Sequence, residues 1–176
     1  MAGLLDGKRV MVFGVANERS IAWGISRLFH EHGARLGFNF VGDALEKRVR
    51  PLAGSVDAEL VVPCDVTDDD QVAETFGRIR EEWGGLDVLI HSVAFANKED
   101  LEGRFSGTTR SGFLRAMEIS AYSMVHLARE ASTLMDGGGT MLTMTYYGAE
   151  KVVENYNVMG VAKAALEASV RYLAAD

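Results

Sequence analysis

Two tyrosines and a lysine near the end of the chain are the side chains best suited to acid–base chemistry. Tyr146, Tyr156 and Lys163 lie in one stretch, and Lys163 follows Tyr156 by seven residues. If the chain is helical from about Asn157 onward, seven residues make nearly two turns, so the phenol and the ammonium share one face. A neighbouring ammonium lowers the pKa of a phenol, which would suit Tyr156 to donate a proton to a developing oxyanion.

The same spacing also has an ordinary explanation. Both tyrosines could be packing residues of an amphipathic segment, and Lys163 could be a solvated helix lysine. The Tyr-x6-Lys pattern is short and permissive, so on its own it favours packing over catalysis. The elements that precede it therefore decide its interpretation.

Composition predicts one soluble globular domain. The chain has 176 residues, of which 48% are hydrophobic and 24% charged, and this length is sufficient for a core. The net charge of −7 argues against a general nucleic-acid binder. A single cysteine, Cys64, excludes an internal disulfide and is expected to be a small buried residue. Neither a signal peptide, an apolar membrane span nor metal-ligand spacing is found, so we expect a cytoplasmic protein.

The apolar runs predict a series of strands that alternate with helices. The first strand, Arg9–Phe13, ends at Gly14, and Ser20 is a suitable N-cap for the following helix. The apolar positions of that helix, which ends at Gly33, are Ile21, Ile25, Leu28 and His32. The other predicted strands are Ala34–Phe40, Leu60–Pro63, Leu86–Ser92 and Thr140–Thr145.

Caps and apolar spacing predict three further helices before the tyrosines. In the first, Ala44–Ala53, Asp43 could be the N-cap. Thr67 is a candidate cap for a helix, with Asp70 as its capping-box partner. The buried stripe predicted for that helix consists of Val72, Phe76, Ile79 and Trp83. A long helix, which begins at Thr109 or Ser111 and runs to about Met135, has apolar residues at intervals of three and four.

The turn between the first strand and the first helix predicts phosphate binding. A glycine turn and a helix N-terminus direct backbone amides and the positive helix end at a pyrophosphate, as in half of a Rossmann unit. The Gly-x-Gly-x-x-Gly fingerprint is absent. After the second strand, Val41-Gly42-Asp43 offers no immediate cation to a 2′-phosphate, which favours NADH over NADPH, although Lys47 or Arg48 could swing back.

Two further strand ends lie where parallel sheets bind ligands. Asp65 follows the third strand and is either a cofactor contact or a turn residue that accepts hydrogen bonds from local amides. Val93–Ala96 continues the fourth strand with small residues that would let a nicotinamide approach the backbone. The polar loop Asn97–Gly112 is long enough to be functional or mobile.

Several of these segments match one family in sequence. The matching segments are Gly14–Asn17, Ser20–Ile25, Cys64–Val66, His91–Ala96, Ile119–Ser123 and Asn155–Lys163. The chain resembles, over essentially its whole length, the enoyl-acyl-carrier-protein reductases, a divergent branch of the short-chain dehydrogenase/reductases. The commoner branch spaces its catalytic pair as Tyr-x3-Lys, whereas here the residue four before Lys163 is Met159, which can do no proton chemistry.

The resemblance implies a doubly wound, three-layer α/β/α fold with the strand order 3-2-1-4-5. It implies that NADH reduces the trans-2 double bond of an enoyl thioester on acyl carrier protein. In these roles Tyr156 would hydrogen-bond or protonate the enolate oxygen, and Tyr146 would assist on the substrate side. Lys163 would hold the nicotinamide ribose hydroxyls and bias the phenol electrostatically. Tyr147 stands where many relatives have leucine. Neighbouring residues point to opposite faces, and Tyr146 has the Thr-Tyr-x-Gly context, so Tyr146 is the candidate.

The resemblance also implies cofactor contacts and an oligomer. The implied cofactor contacts are Gly14, Ser20, Ile21, Val41, Asp65, Val66, Val93 and Lys163. Ala96 would touch the acyl group. In the superfamily the last two long helices form a dimer seam, which implies a homo-oligomer, a dimer of dimers. The small residues of the last helix would equally suit tight packing on the sheet, and they are Gly160, Ala164, Ala165 and Ala168.

The chain ends at Asp176, close to an apolar helical run, whereas members of the family continue for several more elements, including two strands. We therefore expect residues 1–176 to form a single Rossmann-type domain without its C-terminal strands, which would leave a sheet edge exposed. Two alternatives to the enoyl reductase remain open. One is another short-chain dehydrogenase/reductase, and the other is a truncated nucleotide-binding chain without catalytic activity.

Overall fold

The computed structural model describes residues 3–176. Its strands are β1 (Arg9–Phe13), β2 (Arg35–Phe40), β3 (Leu60–Pro63), β4 (Val88–His91) and β5 (Thr140–Thr143). Its α-helices are α1 (Ile21–Glu31), α2 (Gly42–Gly54), α3 (Asp69–Trp83), α4 (Lys98–Leu101), α5 (Arg110–Met117), α6 (Ser123–Ser132) and α7 (Asn157–Leu173). Single turns of 3-10 helix lie at Phe105–Gly107 and Tyr147–Ala149, and a π-helical segment lies at Glu118–Tyr122.

The five strands form one parallel sheet in the order β3-β2-β1-β4-β5. Val12 of β1 lies opposite Phe38 on one side and Ile90 on the other, and all three side chains are buried. The predicted α/β fold and strand order are confirmed. The order reverses between β1 and β4, and ligands of such sheets bind beyond the carboxyl ends of the strands at this point.

The β5 edge of the sheet is less buried than its centre. β1 and β4 are almost wholly buried, whereas residues of β5 alternate between exposed and half-buried, and Leu142 is exposed. This agrees with the exposed edge expected from the sequence.

The chain forms two compact units. The first contains the chain up to Ser92 together with Arg129–Thr143, and it includes all five strands. The second contains Val93–Ala128 and Met144–Asp176. The prediction that residues 1–176 form a single domain stays a prediction. In the first unit, the core joins the apolar faces of β1, β2 and β4 to Trp23 of α1, because buried parallel strands need apolar side chains on both faces.

The start of α1 is as predicted, but its buried face is not. Ser20 is the N-cap. Ile21 is 67% exposed and Leu28 is 52% exposed, whereas the buried residues are Ala22, Trp23 and Ser26. The indole of Trp23 lies 6.3 Å from the Phe38 ring, so packing of this large aromatic ring sets the rotation of the helix.

The N-caps of α2 and α3 are not the residues predicted from the sequence. Helix α2 is capped by Val41 and not by Asp43, which lies in its first turn and can still interact favourably with the helix dipole. Helix α3 is capped by Asp68, whose carboxylate accepts a hydrogen bond from Gln71 N at 3.1 Å, and not by Thr67. The predicted buried stripe of α3 is confirmed.

The predicted long helix is divided. Thr109 caps α5 by accepting a hydrogen bond from Gly112 N at 3.0 Å, as one of the two alternatives expected. The π-helical segment then separates α5 from α6, which ends before Met135. A π-turn inserts one residue into the helical repeat, and apolar spacing of three and four does not reveal it. The preceding loop is also more ordered than predicted, because it contains α4 and a 3-10 turn.

Candidate active site

The second unit brings the two tyrosines together. Helix α7 begins at Asn157, as predicted, so that Tyr156 is its N-cap. Tyr146 lies on the segment that follows β5, and its ring packs edge-on against the Tyr156 ring with 4.9 Å between centroids. Tyr147 contacts Lys151 instead, with the lysine Nζ 5.6 Å from the centre of its ring. Of the two adjacent tyrosines, it is therefore Tyr146 that lies against Tyr156.

Lys163 is buried near the same segment. Its side chain emerges from α7, the residue is 5% exposed, and Nζ donates a hydrogen bond to the Met144 carbonyl oxygen at 2.7 Å. Burial lowers the pKa of Lys163 below its ordinary value. An ammonium has three donors, so two N–H groups remain for a ligand.

The pKa of Tyr156 shifts in the direction opposite to the prediction. Burial, and next the neighbouring Tyr146, raise the pKa of the Tyr156 phenol. Lys163, whose Nζ donates to the Met144 carbonyl oxygen, is not among the causes of this shift. The expectation that the lysine favours a phenolate is therefore wrong for this structure. A phenol with a raised pKa is protonated at neutral pH, which is the form that donates a proton.

Tyr156 lies between two residues with left-handed backbones. Asn155 has a φ of 58° and Asn157 a φ of 30°. Asn157 Nδ2 also donates to the carbonyl oxygens of Glu102 and Gly103, at 3.3 and 3.2 Å. Sequence reasoning missed this arrangement, although the Asn-Tyr-Asn sequence was a signal, since asparagine tolerates the left-handed region better than most residues.

The segment after β4 is held by a buried serine. Phe95 N donates to Ser120 Oγ at 3.0 Å, and Ser120 Oγ lies 3.2 Å from the Phe95 carbonyl oxygen. The Phe95 ring is partly exposed, and the Arg115 guanidinium lies 4.9 Å from its centre. Val93 and Ala96, the predicted ligand contacts on this segment, are both half-buried.

In the first unit, a buried amide supports the predicted phosphate-binding turn. Gly14 has a φ of 102°, which favours glycine, and its N–H donates to Asn39 Oδ1 at 3.0 Å. Asn39 Nδ2 donates to the Cys64 carbonyl oxygen at 2.9 Å, and Asn39 is 5% exposed. This side chain thus joins the ends of β1, β2 and β3. Sequence reasoning missed Asn39, although a polar residue in an apolar strand was a signal.

The N-terminus of α1 has donors for an anion. Ser20 does not cap the helix with its side chain, since Ser20 Oγ donates to the Asn17 carbonyl oxygen at 2.7 Å. The first-turn amides of a helix have no intrahelical partners and carry the positive end of the dipole. Ile21, which begins the helix, is exposed. These features fit a pyrophosphate, bound mainly by backbone amides.

The other predicted cofactor contacts of this unit differ in how much of the side chain is exposed and free to contact a ligand. Val41 is exposed at the carboxyl end of β2. Asp65 Oδ1 accepts hydrogen bonds from Thr67 N at 3.0 Å and from Thr67 Oγ1 at 2.8 Å, so Asp65 is at least a turn residue. Val66 is buried and offers little side-chain surface to a ligand. Contact of Asp65 and Val66 with a cofactor stays a prediction.

The second unit also contains an open cavity of about 360 Å³. Tyr156, Gly148 and Gly160 line it, but Tyr146 and Lys163 do not. Because two of the three candidate catalytic side chains are outside it, this cavity is not the place where all three would meet a substrate.

Residues 3–176 contain neither a group of metal-ligating side chains nor a membrane-spanning helix. In that part of the chain no three His, Cys, Asp or Glu side chains are grouped so that they could hold a metal ion. The same residues contain no helix that is both long and apolar enough to cross a membrane.

Comparison with known proteins gives consistent matches. Residues 14–176 match the family model described as enoyl-(acyl carrier protein) reductase. The chain is 52% identical to enoyl-[acyl-carrier-protein] reductase [NADH] 2 of Rhizobium meliloti over 176 residues, which are 100% of the chain and 66% of that protein.

Two solved structures are similar throughout the chain. A reductase of the same name from Anaplasma phagocytophilum, crystallised with NAD, is 49% identical with a TM-score of 0.97, over 100% of this chain and 67% of that one. The Bacillus cereus enzyme, crystallised with NADP+ and an indole naphthyridinone, is 53% identical with a TM-score of 0.96, over 99% and 68%. The chain thus spans about two thirds of the length of these relatives. It belongs to the enoyl-(acyl carrier protein) reductase family.

Proposed function

We propose that the protein reduces the trans-2 double bond of enoyl thioesters on acyl carrier protein, with NADH, in fatty acid biosynthesis. The observation that carries this proposal is the placement of Tyr146, Tyr156 and Lys163 around one short segment of a chain from this family. The relatives named above are reductases of this kind.

Bound NADH would supply a hydride to the β-carbon of the double bond. The C2–C3 π electrons would then form the C1–C2 double bond of an enolate as the carbonyl π electrons move to the thioester oxygen, and this oxygen needs a proton donor. The resulting enol would tautomerise to the saturated thioester, with the proton moving from oxygen to C2. Tyr156 is suited to that step, because the raised pKa of its phenol keeps it protonated at neutral pH. Tyr146 packs on Tyr156 and would assist on the substrate side.

Lys163 would bind the nicotinamide ribose and not share a proton with the phenol. Its Nζ has one donor engaged by the Met144 carbonyl, so the ammonium is held in place with donors to spare. At the other end of the cofactor, the α1 N-terminus with Ser20 and Ile21 and the Gly14 turn would bind the pyrophosphate. Val93 and Ala96 would line the nicotinamide and the acyl group, respectively.

We infer a preference for NADH from the end of β2. Val41 and Gly42 carry no charge, and Asp43 in the first turn of α2 is acidic. A 2′-phosphate would therefore approach a carboxylate instead of a guanidinium or an ammonium. Because the similar Bacillus cereus enzyme was crystallised with NADP+, the affinity for NADPH should be measured beside that for NADH.

We infer that the protein is a cytoplasmic homo-oligomer, a dimer of dimers, that binds neither nucleic acid nor membranes. The superfamily arrangement of helices supports the oligomer. The net charge of −7 supports the absence of nucleic-acid binding.

The proposal is tested by NADH oxidation in the presence of a short trans-2-enoyl thioester. Loss of NADH absorbance that depends on the thioester establishes the reaction class. NADH binding without oxidation would support the alternative of a nucleotide-binding chain without activity. Oxidation with carbonyl substrates only would support another short-chain reductase, which Met159 argues against because it replaces the tyrosine of the commoner Tyr-x3-Lys pair.

A further inference from the structure

Gly148 and Tyr156 lie closer together than any other residue at position 148 would allow. A Cβ on Gly148 would be 2.4 Å from Tyr156 Cδ1 and 2.7 Å from Cε1. Real Cβ atoms do not make contacts this short, so an added methyl group would have to displace the ring or the backbone. The Cδ1–Cε1 side of the phenol ring thus packs against the backbone of the 3-10 turn at Tyr147–Ala149.

A second glycine allows α7 to reach that turn. A Cβ on Gly160 would lie 2.7 Å from the Gly148 carbonyl oxygen and 3.6 Å from Tyr156 Cδ1. Gly160 is on the helix that Tyr156 caps, one turn after it. Close approach of helix and turn therefore requires a residue without a side chain at this position.

Glycine is required at positions 148 and 160 because there is no space for a side chain, and not because the backbone has a positive φ. Neither Gly148 nor Gly160 is among the glycines with positive φ. Alanine could adopt both backbone conformations, and it favours the helix that contains Gly160. The contact with Tyr156 is thus what an alanine would disturb.

We propose that Gly148 and Gly160 are positioning residues for the reaction, because they allow the Met144–Gly148 segment and α7 to hold Tyr156 in one place. This inference rests on the proposed function, in which Tyr156 donates the proton. The same segment also includes Tyr146, and its Met144 carbonyl accepts a hydrogen bond from Lys163. A shift of the segment would move all three together.

The size of the expected shift follows from the contact distance. An ordinary contact begins at 3.4 Å, so a methyl group now placed at 2.4 Å from Cδ1 requires a displacement of about 1 Å (3.4 − 2.4). A misplacement of about 1 Å can reduce turnover by about 100-fold. The proposed pyrophosphate contacts at the N-terminus of α1 do not include the contact between Gly148 and Tyr156, whereas Lys163, the proposed ribose contact, is bonded to the same segment.

The test compares Gly148→Ala and Gly160→Ala with Gly107→Ala. Gly107 is a matched control, because it also lies in a 3-10 turn of the second unit and has nothing within 4 Å of an added Cβ. We expect kcat to fall by about 10- to 100-fold in the first two variants, with KM for the thioester within about threefold of the wild type. Gly107→Ala should retain wild-type kcat.

A second readout does not depend on activity. The ultraviolet titration of Tyr156, obtained by subtracting the curve of Tyr156→Phe, should change its midpoint in Gly148→Ala, because the environment of the ring changes. Circular dichroism identifies a variant that fails to fold, in which case the Gly160→Ala result decides. The inference is overturned if folded variants keep kcat within about threefold of the wild type, or if the Tyr156 titration is unchanged. Full turnover by Tyr156→Phe would reject Tyr156 as the acid, and the titration would still decide whether Gly148 positions the ring.

Discussion

The candidate residues of the two units are positioned in different ways. In the first unit the predicted phosphate contacts are largely backbone, namely the Gly14 turn and the amides at the start of α1. In the second unit the candidate groups are side chains held by contacts with one another and with bare backbone, as between Tyr156 and Gly148. The position of backbone groups is set by the strands and the helix that they join, whereas the position of side chains depends on how closely they pack with their neighbours.

This difference predicts different responses to mutation. In the second unit, changes at Tyr156 should affect turnover with little effect on cofactor binding. Changes in the first unit should affect stability and cofactor binding together, because the groups that support the turn are also buried structure. The following experiments test this contrast, from the largest expected effect to the smallest.

Tyr156→Phe should have the largest effect on turnover. Removing the phenol oxygen removes the proton donor, so kcat should fall by about 100-fold or more, the usual scale for an acid–base group, while the Kd for NADH stays near normal. Tyr147→Phe is the matched control, since Tyr147 contacts Lys151 and not Tyr156. Equal turnover in Tyr156→Phe and the wild type would remove Tyr156 from the mechanism.

Asn39→Leu should destabilise the first unit. The change leaves the Gly14 N–H and the Cys64 carbonyl without their buried partners. Two unsatisfied groups predict a loss of about 2–4 kcal/mol in the free energy of unfolding, measured with urea. Weaker NADH binding should accompany the loss, because Gly14 starts the phosphate-binding turn. A loss below about 0.5 kcal/mol, or unchanged NADH binding, would contradict the coupling of stability and binding in this unit.

The Arg9–Asp87 pair should give a smaller, pH-dependent effect. Arg9, which donates to Asp87 Oδ2 from Nε at 2.7 Å and from its backbone N at 2.9 Å, lowers the pKa of Asp87 to about 2. A depressed carboxyl pKa contributes stability that is present above about pH 4 and is lost as the pH falls towards 2. After allowance for solvent screening at this partly exposed site, the contribution is about 1–2 kcal/mol.

The check is the difference in unfolding free energy between the wild type and Asp87→Asn at several pH values. The difference should be largest near neutral pH and should shrink below about pH 4. A difference that does not change with pH would mean that charge does not account for the contribution of Asp87.

Patterns in the sequence predicted most of the fold. The bounds of β1 and β3, the start of α7 and the stripe of α3 agree with the predictions, because buried apolar runs and helical spacing are set by solvent exclusion. The caps at Asp43 and Thr67 were wrong, since a cap depends on which of several adjacent polar residues reaches the free amides. The buried face of α1 was wrong because Trp23 packs inward in place of Ile21.

The candidate site was predictable in part. The spacing of Tyr156 and Lys163 together with the resemblance to the family indicated these two residues, but did not predict that Lys163 bonds to Met144 and that the pKa of Tyr156 rises. Hydrogen bonds to backbone carbonyls and burial depend on tertiary structure, which spacing does not describe. For the same reason Asn39 and Gly148 were recognised as supporting residues only in three dimensions, and Gly160 was expected to allow close packing without its partner being predicted.

The most direct test of the account is the destination of the hydride. The protein would be incubated with a trans-2-enoyl thioester and NADH deuterated at the transferable C4 position, and the product analysed by mass spectrometry and NMR. The account predicts a saturated thioester with one deuterium at the β-carbon. Deuterium at the carbonyl carbon, or an unreduced double bond after NADH is consumed, would contradict it.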